Sequence, residues 1–235
     1  MSGASYTNSY VYTHLGQLWQ GPLNGSGSQQ QYLYCNSQPH ELTGLYGTSA
    51  TCSNKTGQVY ASSYDNWGNV TSRTYSGTTA TLTYDLLDHF VSWNAGAQSK
   101  DLSVYDASGN RVLRRTTTSS GTTMTVYAFG LEEHTYFNAG GHKGDLYYYS
   151  LGSRLLGALD NNNKTTFYLT DALGSVLASF SNVANSATIK GNQVFGPYGN
   201  PRDFQGSINT AKSFTGQYND SLTVQIVTSH LDSYN

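Results

Sequence analysis

Tyr64-Asp65-Asn66-Trp67-Gly68-Asn69-Val70, Tyr84-Asp85-Leu86-Leu87-Asp88-His89-Phe90 and Tyr105-Asp106-Ala107-Ser108-Gly109-Asn110-Arg111 are three copies of one pattern. Each opens on Tyr-Asp, passes two variable residues, and usually closes on Gly and a polar residue. Weaker copies follow at Tyr127-Ala128-Phe129-Gly130, Tyr149-Ser150-Leu151-Gly152-Ser153-Arg154 and Thr170-Asp171-Ala172-Leu173-Gly174-Ser175-Val176. The second positions fall at 65, 85, 106, 128, 150 and 171, with spacings of 20, 21, 22, 22 and 21. Tyr12-Thr13-His14-Leu15-Gly16 upstream and Phe195-Gly196-Pro197-Tyr198-Gly199-Asn200 downstream extend the series. A fixed period of this length marks a repeat architecture.

The unit reads as a β-hairpin. The Tyr closes an alternating stretch, as in Ala80-Thr81-Leu82-Thr83-Tyr84 and Thr123-Met124-Thr125-Val126-Tyr127, and period-two alternation marks a strand with one buried face. The Asp accepts bonds from backbone N–H groups just ahead of it, and Gly supplies positive φ, so Asp-x-x-Gly turns the chain. A second strand then leaves, as in Asn69-Val70-Thr71-Ser72-Arg73-Thr74-Tyr75. One hairpin can neither bury its face nor satisfy its edges, whereas stacked hairpins can. The predicted fold is all-β: tandem antiparallel hairpins of about 21 residues forming one curved sheet. In it Tyr64, Tyr84, Tyr105, Tyr127 and Tyr149 share a face. About nine hairpins, each advancing the sheet by roughly 10 Å, make about one turn, with open edges at both ends.

Composition agrees. Aromatic residues make up 13% of the 235, with 20 Tyr, against 11% charged residues and 4 Pro, the reverse of a disordered segment. A net charge of -2 and no basic stripe argue against nucleic-acid binding. No apolar run approaches the roughly 18 residues of a membrane-spanning helix, and Met1–Tyr12 lacks the basic start and apolar core of a Sec signal. Cys35 and Cys52 suit either a bridge between neighbouring strands or two small buried residues, and in a chain this poor in cysteine the second reading is preferred.

The Tyr-Asp-x-x-Gly-Asn units resemble the YD repeats of the Rhs and teneurin families. Pro39-His40-Glu41-Leu42-Thr43 resembles the stretch preceding the Rhs core. Tyr168-Leu169-Thr170-Asp171-Ala172-Leu173-Gly174-Ser175-Val176 is similar to the core's Tyr-x-x-Asp-x-Leu-Gly-Ser-Val. Phe195-Gly196-Pro197-Tyr198-Gly199-Asn200 followed by Phe214-Thr215-Gly216-Gln217-Tyr218-Asn219-Asp220 is close to its Tyr-x-Pro-[Phe/Tyr]-Gly and Phe-Thr-Gly-x-x-x-Asp. The likeness covers about residues 10 to 223. It implies a sheet that spirals into a hollow shell, in bacterial members around a C-terminal toxin, with a self-cleaving Asp-Pro-x-Gly site beyond Phe-Thr-Gly. The chain departs from the family after Thr223: Val224-Gln225-Ile226-Val227-Thr228 replaces the expected continuation, and no Asp-Pro dipeptide occurs. A truncated or frame-shifted product is expected, without self-cleavage and without toxin. The chain is read as β-repeats and a connecting segment (1–60), YD repeats (61–160), a core-like end (161–223) and a divergent tail (224–235).

Asp65, Asp85, Asp106 and Asp171 recur with the repeat, which assigns them to turn capping rather than to catalysis or calcium binding; catalytic carboxylates must converge in one pocket. Gly68, Gly109, Leu173, Gly174, Phe214 and Gly216 are read as structural motif positions in the same way. Glu132-Glu133-His134 with His142 would need a fixed geometry to hold a metal, and a Gly-rich turn does not supply one. The run Tyr147-Tyr148-Tyr149 is read as inter-strand packing rather than as a sugar platform. No Gly-rich phosphate loop and no Gly-x-Ser-x-Gly elbow is present. The expected role is a non-catalytic shell segment without cofactor, partnered by the rest of a larger Rhs polypeptide and its toxin and exported with it to the exterior or cell surface. The other reading is an extracellular glycan-binding or adhesion module.

Overall fold

The computed structural model describes residues 7–23, 28–152, 154–183, 186–199 and 201–220; the β-prone run 224–228, and with it the 224–235 tail, lies outside them. The N-terminal strands are β1 (Val11–Tyr12), β2 (Leu18–Pro22), β3 (Gln29–Leu33) and β4 (Gly44–Tyr46). The repeats begin with β5 (Tyr60–Tyr64), β6 (Val70–Tyr75), β7 (Thr78–Tyr84), β8 (Phe90–Asn94), β9 (Lys100–Tyr105) and β10 (Arg111–Thr118). They continue through β11 (Gly121–Ala128), β12 (Glu132–Phe137), β13 (His142–Leu151) and β14 (Arg154–Asp160). Last come β15 (Thr165–Thr170), β16 (Val176–Val183), β17 (Ser186–Phe195) and β18 (Pro201–Gly206). Helix is confined, among the described residues, to one 3-10 turn at Phe214–Gly216.

Every strand pairs antiparallel with the next in the chain, from β1–β2 to β17–β18, so the 18-stranded sheet is one uninterrupted meander. The connections therefore fall alternately on two rims. Those after odd-numbered strands, including the turns at Asp65, Asp85, Asp106 and Asp171, lie on the first rim. Those after even-numbered strands lie on the second.

The sheet rolls up. Eighteen strands span roughly 80 Å when laid flat, yet Tyr198, between β17 and β18, packs edge-on against Tyr10 with ring centroids 5.9 Å apart, and its hydroxyl meets that of Tyr12. Tyr198 and Tyr10 both cover a cluster of Leu18, Tyr32, Leu42, Leu45 and Tyr60. No backbone ladder joins β1 to β18 among the described residues, so the coil meets itself through side chains while its terminal strands keep open edges.

Alternation along the strands separates an inner from an outer face, and in places the polarity is inverted. On β9 the buried residues are Asp101 and Ser103, whereas Leu102 and Val104 are exposed. The inversion is tolerated because Asp101 accepts two bonds from Arg114 Nε, at 3.0 and 2.8 Å, and one from Thr116 Oγ1 at 3.1 Å. A buried carboxylate with that many donors is satisfied.

Two expectations need correction. Tyr149 does not belong to the inner row: it is 52% exposed, and Tyr148, at 5%, takes the inner position. Bulges between Thr135 and Tyr136 and between Tyr149 and Ser150 shift the register, as an extra residue in a ladder must. Cys35 and Cys52 form a disulfide, with Cα atoms 5.5 Å apart. Cys35 packs on the buried group Leu33, Tyr46 and Ala50, so the loop after β4 is tied back to the end of β3.

Candidate functional site

The recurring turn has one construction. Asp65 Oδ1 accepts the backbone N–H groups of Trp67 and Asn69, both at 2.9 Å, and Gly68 sits at φ +88°. Asp106 does the same for Ser108 and Asn110 at 2.8 and 2.9 Å, and Asp171 for Leu173 and Ser175 at 2.9 and 2.8 Å. Asp85 caps Leu87 and His89, with Asp88 rather than Gly in the left-handed position. Backbone N–H donation, from Asn110 and His89 first, holds the Asp106 and Asp85 carboxyls below the usual carboxylate range. Thr13 builds the same turn with its hydroxyl.

Asp160 builds it too, on the second rim, capping Asn162 and Lys164 at 2.8 and 2.9 Å. Sequence reasoning missed that copy because Asn163 replaces the Gly and no Tyr precedes the Asp. The weak copies at 127–130 and 149–154 are different: Leu131 N–H donates to Ala128 O across Phe129 and Gly130, both at positive φ, and Leu151 pairs with Arg154. Those hairpins close by tight turns with no Asp.

Neighbouring first-rim turns touch. Asn69 Nδ2 donates to Asp88 Oδ1 at 2.9 Å, and the His89 ring stacks on Tyr105 at 4.8 Å. A Cβ on Gly109 would stand 2.9 Å from His89 Nε2, so Gly109 serves the row as well as its own turn.

The inner face carries a feature the sequence did not announce. After β18 the chain crosses back over the sheet as a strap, residues 207–220. Val176 N–H donates to Ser213 O at 3.1 Å, and Thr215 N–H to Ser175 Oγ at 3.1 Å. Thr215 and Gly216 lie at positive φ, and a Cβ on Gly216 would approach Gly174 O to 3.5 Å. Phe214 packs edge-on against Phe195 at 5.4 Å. The segment Leu173-Gly174-Ser175-Val176 and the segment Phe214-Thr215-Gly216 thus form one contact, with the Leu173 side chain left exposed.

Elsewhere the strap reads the inner tyrosine row. Tyr168 Oη donates to Asn209 O at 3.0 Å, and Ile208 enters the cluster of Tyr148, Leu155, Ala158, Tyr168 and Val176. Tyr148 Oη donates to Glu133 Oε1 at 2.6 Å and lies 2.9 Å from Thr210 Oγ1; burial, with the Glu133 charge beside it, pushes the Tyr148 hydroxyl well above its ordinary value. Lys212 Nζ donates to Gly130 O at 3.0 Å and stands 4.3 Å over the Tyr148 ring, and desolvation lowers its pKa. Tyr218 packs edge-on against Tyr127 at 5.1 Å, and the Arg111 guanidinium lies over both rings at 5.0 and 4.7 Å. Asp220 ends the strap between Arg111 and Arg114. Burial opposes the Arg111 charge, and the Asp220 carboxylate outweighs it and raises the pKa.

On the outer face Glu132, His134, His142 and Asp145 come together: His134 Nδ1 and His142 Nε2 lie 2.9 and 2.8 Å from Asp145 Oδ1, and His134 Nε2 lies 3.1 Å from Glu132 Oε2. Glu133, their sequence neighbour, points inward. Among the described residues no group of three or more His, Cys, Asp or Glu side chains is arranged to hold a metal ion. The Asp turns sit in separate hairpins, each carboxylate occupied by its own loop, so they do not form a shared pocket.

No family model and no curated protein matches the sequence. Solved structures do match in fold. The chain superposes on a crystal structure of TcdB2-TccC3-Cdc42 with a TM-score of 0.53 at 13% identity, covering 92% of this chain and 13% of that one. A Photorhabdus luminescens Tc holotoxin pore gives 0.52 at 15% identity, and TcdB2-TccC3 without its hypervariable C-terminal region gives 0.51 at 15%. Both comparisons again cover 92% of this chain and 13% of the other. The chain thus spans about an eighth of the length of the chains it matches. What is shared is the fold, a rolled antiparallel β-sheet built of successive hairpins.

Proposed function

We propose that this chain is a non-catalytic wall segment of a YD-repeat β-shell, one coil of a container whose cargo in the full-length family is a C-terminal toxin. The observation that carries the reading is the rolled meander: Tyr198 meets Tyr10 across the whole sheet, while the strap covers the inner face. The polar groups of that face are directed at one another. Glu133 faces Tyr148, Asp101 faces Arg114, and Asp220 faces Arg111 and Arg114. Such pairings fix a shape. Partners on this reading are the remaining coils of a longer exported polypeptide and its cargo.

Solution scattering combined with a glycan array tests the proposal. A compact domain of 235 residues has a radius of gyration of roughly 17–18 Å. A coil roughly 80 Å around has a radius of about 13 Å, so the wall reading expects the monomer near that range and no glycan retained. Selective glycan binding, through outer-face aromatics such as Tyr149, would replace it with the adhesion reading. Incubation with peptide, ester and glycoside substrates is expected to give no turnover, and intact mass is expected to stay constant over days.

A further inference from the structure

The two rims of the coil differ in chemistry although they belong to the same hairpins. Trp67, Leu86, Leu87, Phe129 and Leu173 lie in first-rim connections and Leu151 ends β13 beside one; all six are 69 to 102% exposed. The second-rim connections after β6, β8, β10, β12 and β14 carry Ser76-Gly77, Ala95-Gly96-Ala97, Ser119-Ser120, Asn138-Ala139-Gly140 and Asn161-Asn162-Asn163, and the longer one after β4, residues 47–59, is built mainly of Ser, Thr, Gly and Asn. Turn mechanics do not explain the contrast. The Asp-x-x-Gly turn constrains only the Asp and its fourth residue, leaving the middle two free. The same turn holds Leu86-Leu87 at Asp85 on the first rim and Asn161-Asn162 at Asp160 on the second. The apolar choice follows the rim, not the turn.

Charge divides the same way. The first-rim turns contribute Asp65, Asp85, Asp88, Asp106 and Asp171, with Arg111 and Arg154 opening the strands after two first-rim connections, while Lys55 lies in a second-rim connection and Lys100, Lys143 and Lys164 flank others, with Asp160 and the buried Asp101 as acids there. Two first rims face to face would oppose rows of aspartates. A first rim against a second rim sets aspartates near lysines, and sets large apolar knobs over alanine, glycine, serine and the aliphatic stems of lysine. Both rims repeat every two strands, roughly 10 Å, so the knobs of one keep step with the gaps of the other. Trp67 and Phe129 each offer on the order of 150–250 Å² of surface. With the four leucines the rim reaches the scale of a standard interface, about 800 Å² per partner.

We propose that the first rim is a docking surface for the second rim of another copy of this chain, so that coils stack head to tail. Such a contact is heterologous and extends without closing.

Three proteins test this by sedimentation velocity between 1 and 100 μM. The first is the chain itself. The second carries Trp67→Ser, Leu86→Ser and Phe129→Ser. The third carries Lys100→Glu, Lys143→Glu and Lys164→Glu. Circular dichroism establishes that all three are folded. The unmodified chain is expected to grow in size with concentration, and growth is expected to weaken at least tenfold in 0.5 M salt. Each variant alone is expected to remain monomeric, and the two mixed to stop at a dimer, because only one compatible pair of rims remains. The proposal is overturned by a chain that is monomeric throughout, by association that both variants retain (sheet-edge pairing gives that result), or by a mixture that stays monomeric.

Discussion

Arg111 and Asp220, 109 residues apart in the chain, form an ion pair on the inner face, and Arg114 Nη1 approaches the same carboxylate at 3.0 Å. Both arginine side chains are 11% exposed and the carboxylate 14%. Removing one partner of a buried pair leaves uncompensated charge, at a cost of about 3–5 kcal/mol. Asp220→Ala is expected to fall near the lower end of that range, because Asp101 still serves Arg114. Asp220→Asn, which keeps hydrogen-bonding atoms but not the charge, should lose less. Urea denaturation of the two variants checks the order; an unchanged midpoint in both would mean that the strap is not seated.

Asp171→Ala and Asp171→Asn separate a capping role from a chemical one. The cap needs an oxygen facing the N–H groups of Leu173 and Ser175, and Asn supplies one. Asp171→Ala should cost about 1–2 kcal/mol, the scale of a lost cap, with Asn recovering most of it in thermal melts. A loss of equal size in both variants would show that the negative charge itself is required there.

The His134–Asp145 pair makes stability depend on pH. His134 is raised above its ordinary 6.5, by Asp145 first and then Glu132. Its contribution is therefore full below about pH 6.5 and is lost as pH rises through the folded value. Burial works against the Asp145 charge, but His142 and His134 outweigh it and lower the pKa from 3.8. That contribution is present above about pH 4 and is lost as pH falls through the lowered value. Melting temperature should peak between these limits, and His134→Asn should flatten its alkaline side. An unchanged pH profile in that variant would remove the pair from the account.

The Cys35–Cys52 bridge closes a short loop of 17 residues, for which loop-closure entropy gives about 3 kcal/mol. A Cys35→Ser, Cys52→Ser chain should melt roughly 6–12 °C lower on the usual scaling for this size. Reduction of the unmodified chain should reproduce the shift, and any further drop on reducing the double variant would point to another cause.

What the sequence displayed and what it hid divide along one physical line. The turns at Asp65, Asp85, Asp106 and Asp171 were legible because each is local: the Asp, its two N–H partners and the positive-φ residue lie within five positions. The strap was not, since Ile208, Thr210, Tyr218 and Asp220 have no periodicity of their own and gain meaning only from Tyr148, Tyr127 and Arg111 across the coil. Pairing of Cys35 with Cys52 likewise depends on a loop folding back, which spacing alone does not decide. The contrast between the rims lay in the sequence throughout, but only the strand order shows which connections share a rim.

Tyr148 and Tyr149 put the register itself to the test. Three consecutive tyrosines carry no alternation, so the run cannot indicate which ring faces inward, and the bulges in the flanking ladders decide it. Inward, the Tyr148 hydroxyl donates to the carboxylate of Glu133, which is 8% exposed. Tyr148→Phe leaves that acceptor without its donor, and an unsatisfied buried polar group costs about 1–3 kcal/mol, more when charged. Tyr149→Phe removes a hydroxyl that faces solvent and should stay within about 0.5 kcal/mol of the unmodified chain. The Glu133→Gln change should soften the Tyr148→Phe loss, because a neutral amide is cheaper to bury than a carboxylate. Denaturation of the three single variants and of the Glu133→Gln, Tyr148→Phe double variant reads the coupling. If Tyr149→Phe proves the costlier of the two tyrosine changes, β13 is set one residue out of register, and every inner contact from Glu133 to Thr210 must be reassigned with it.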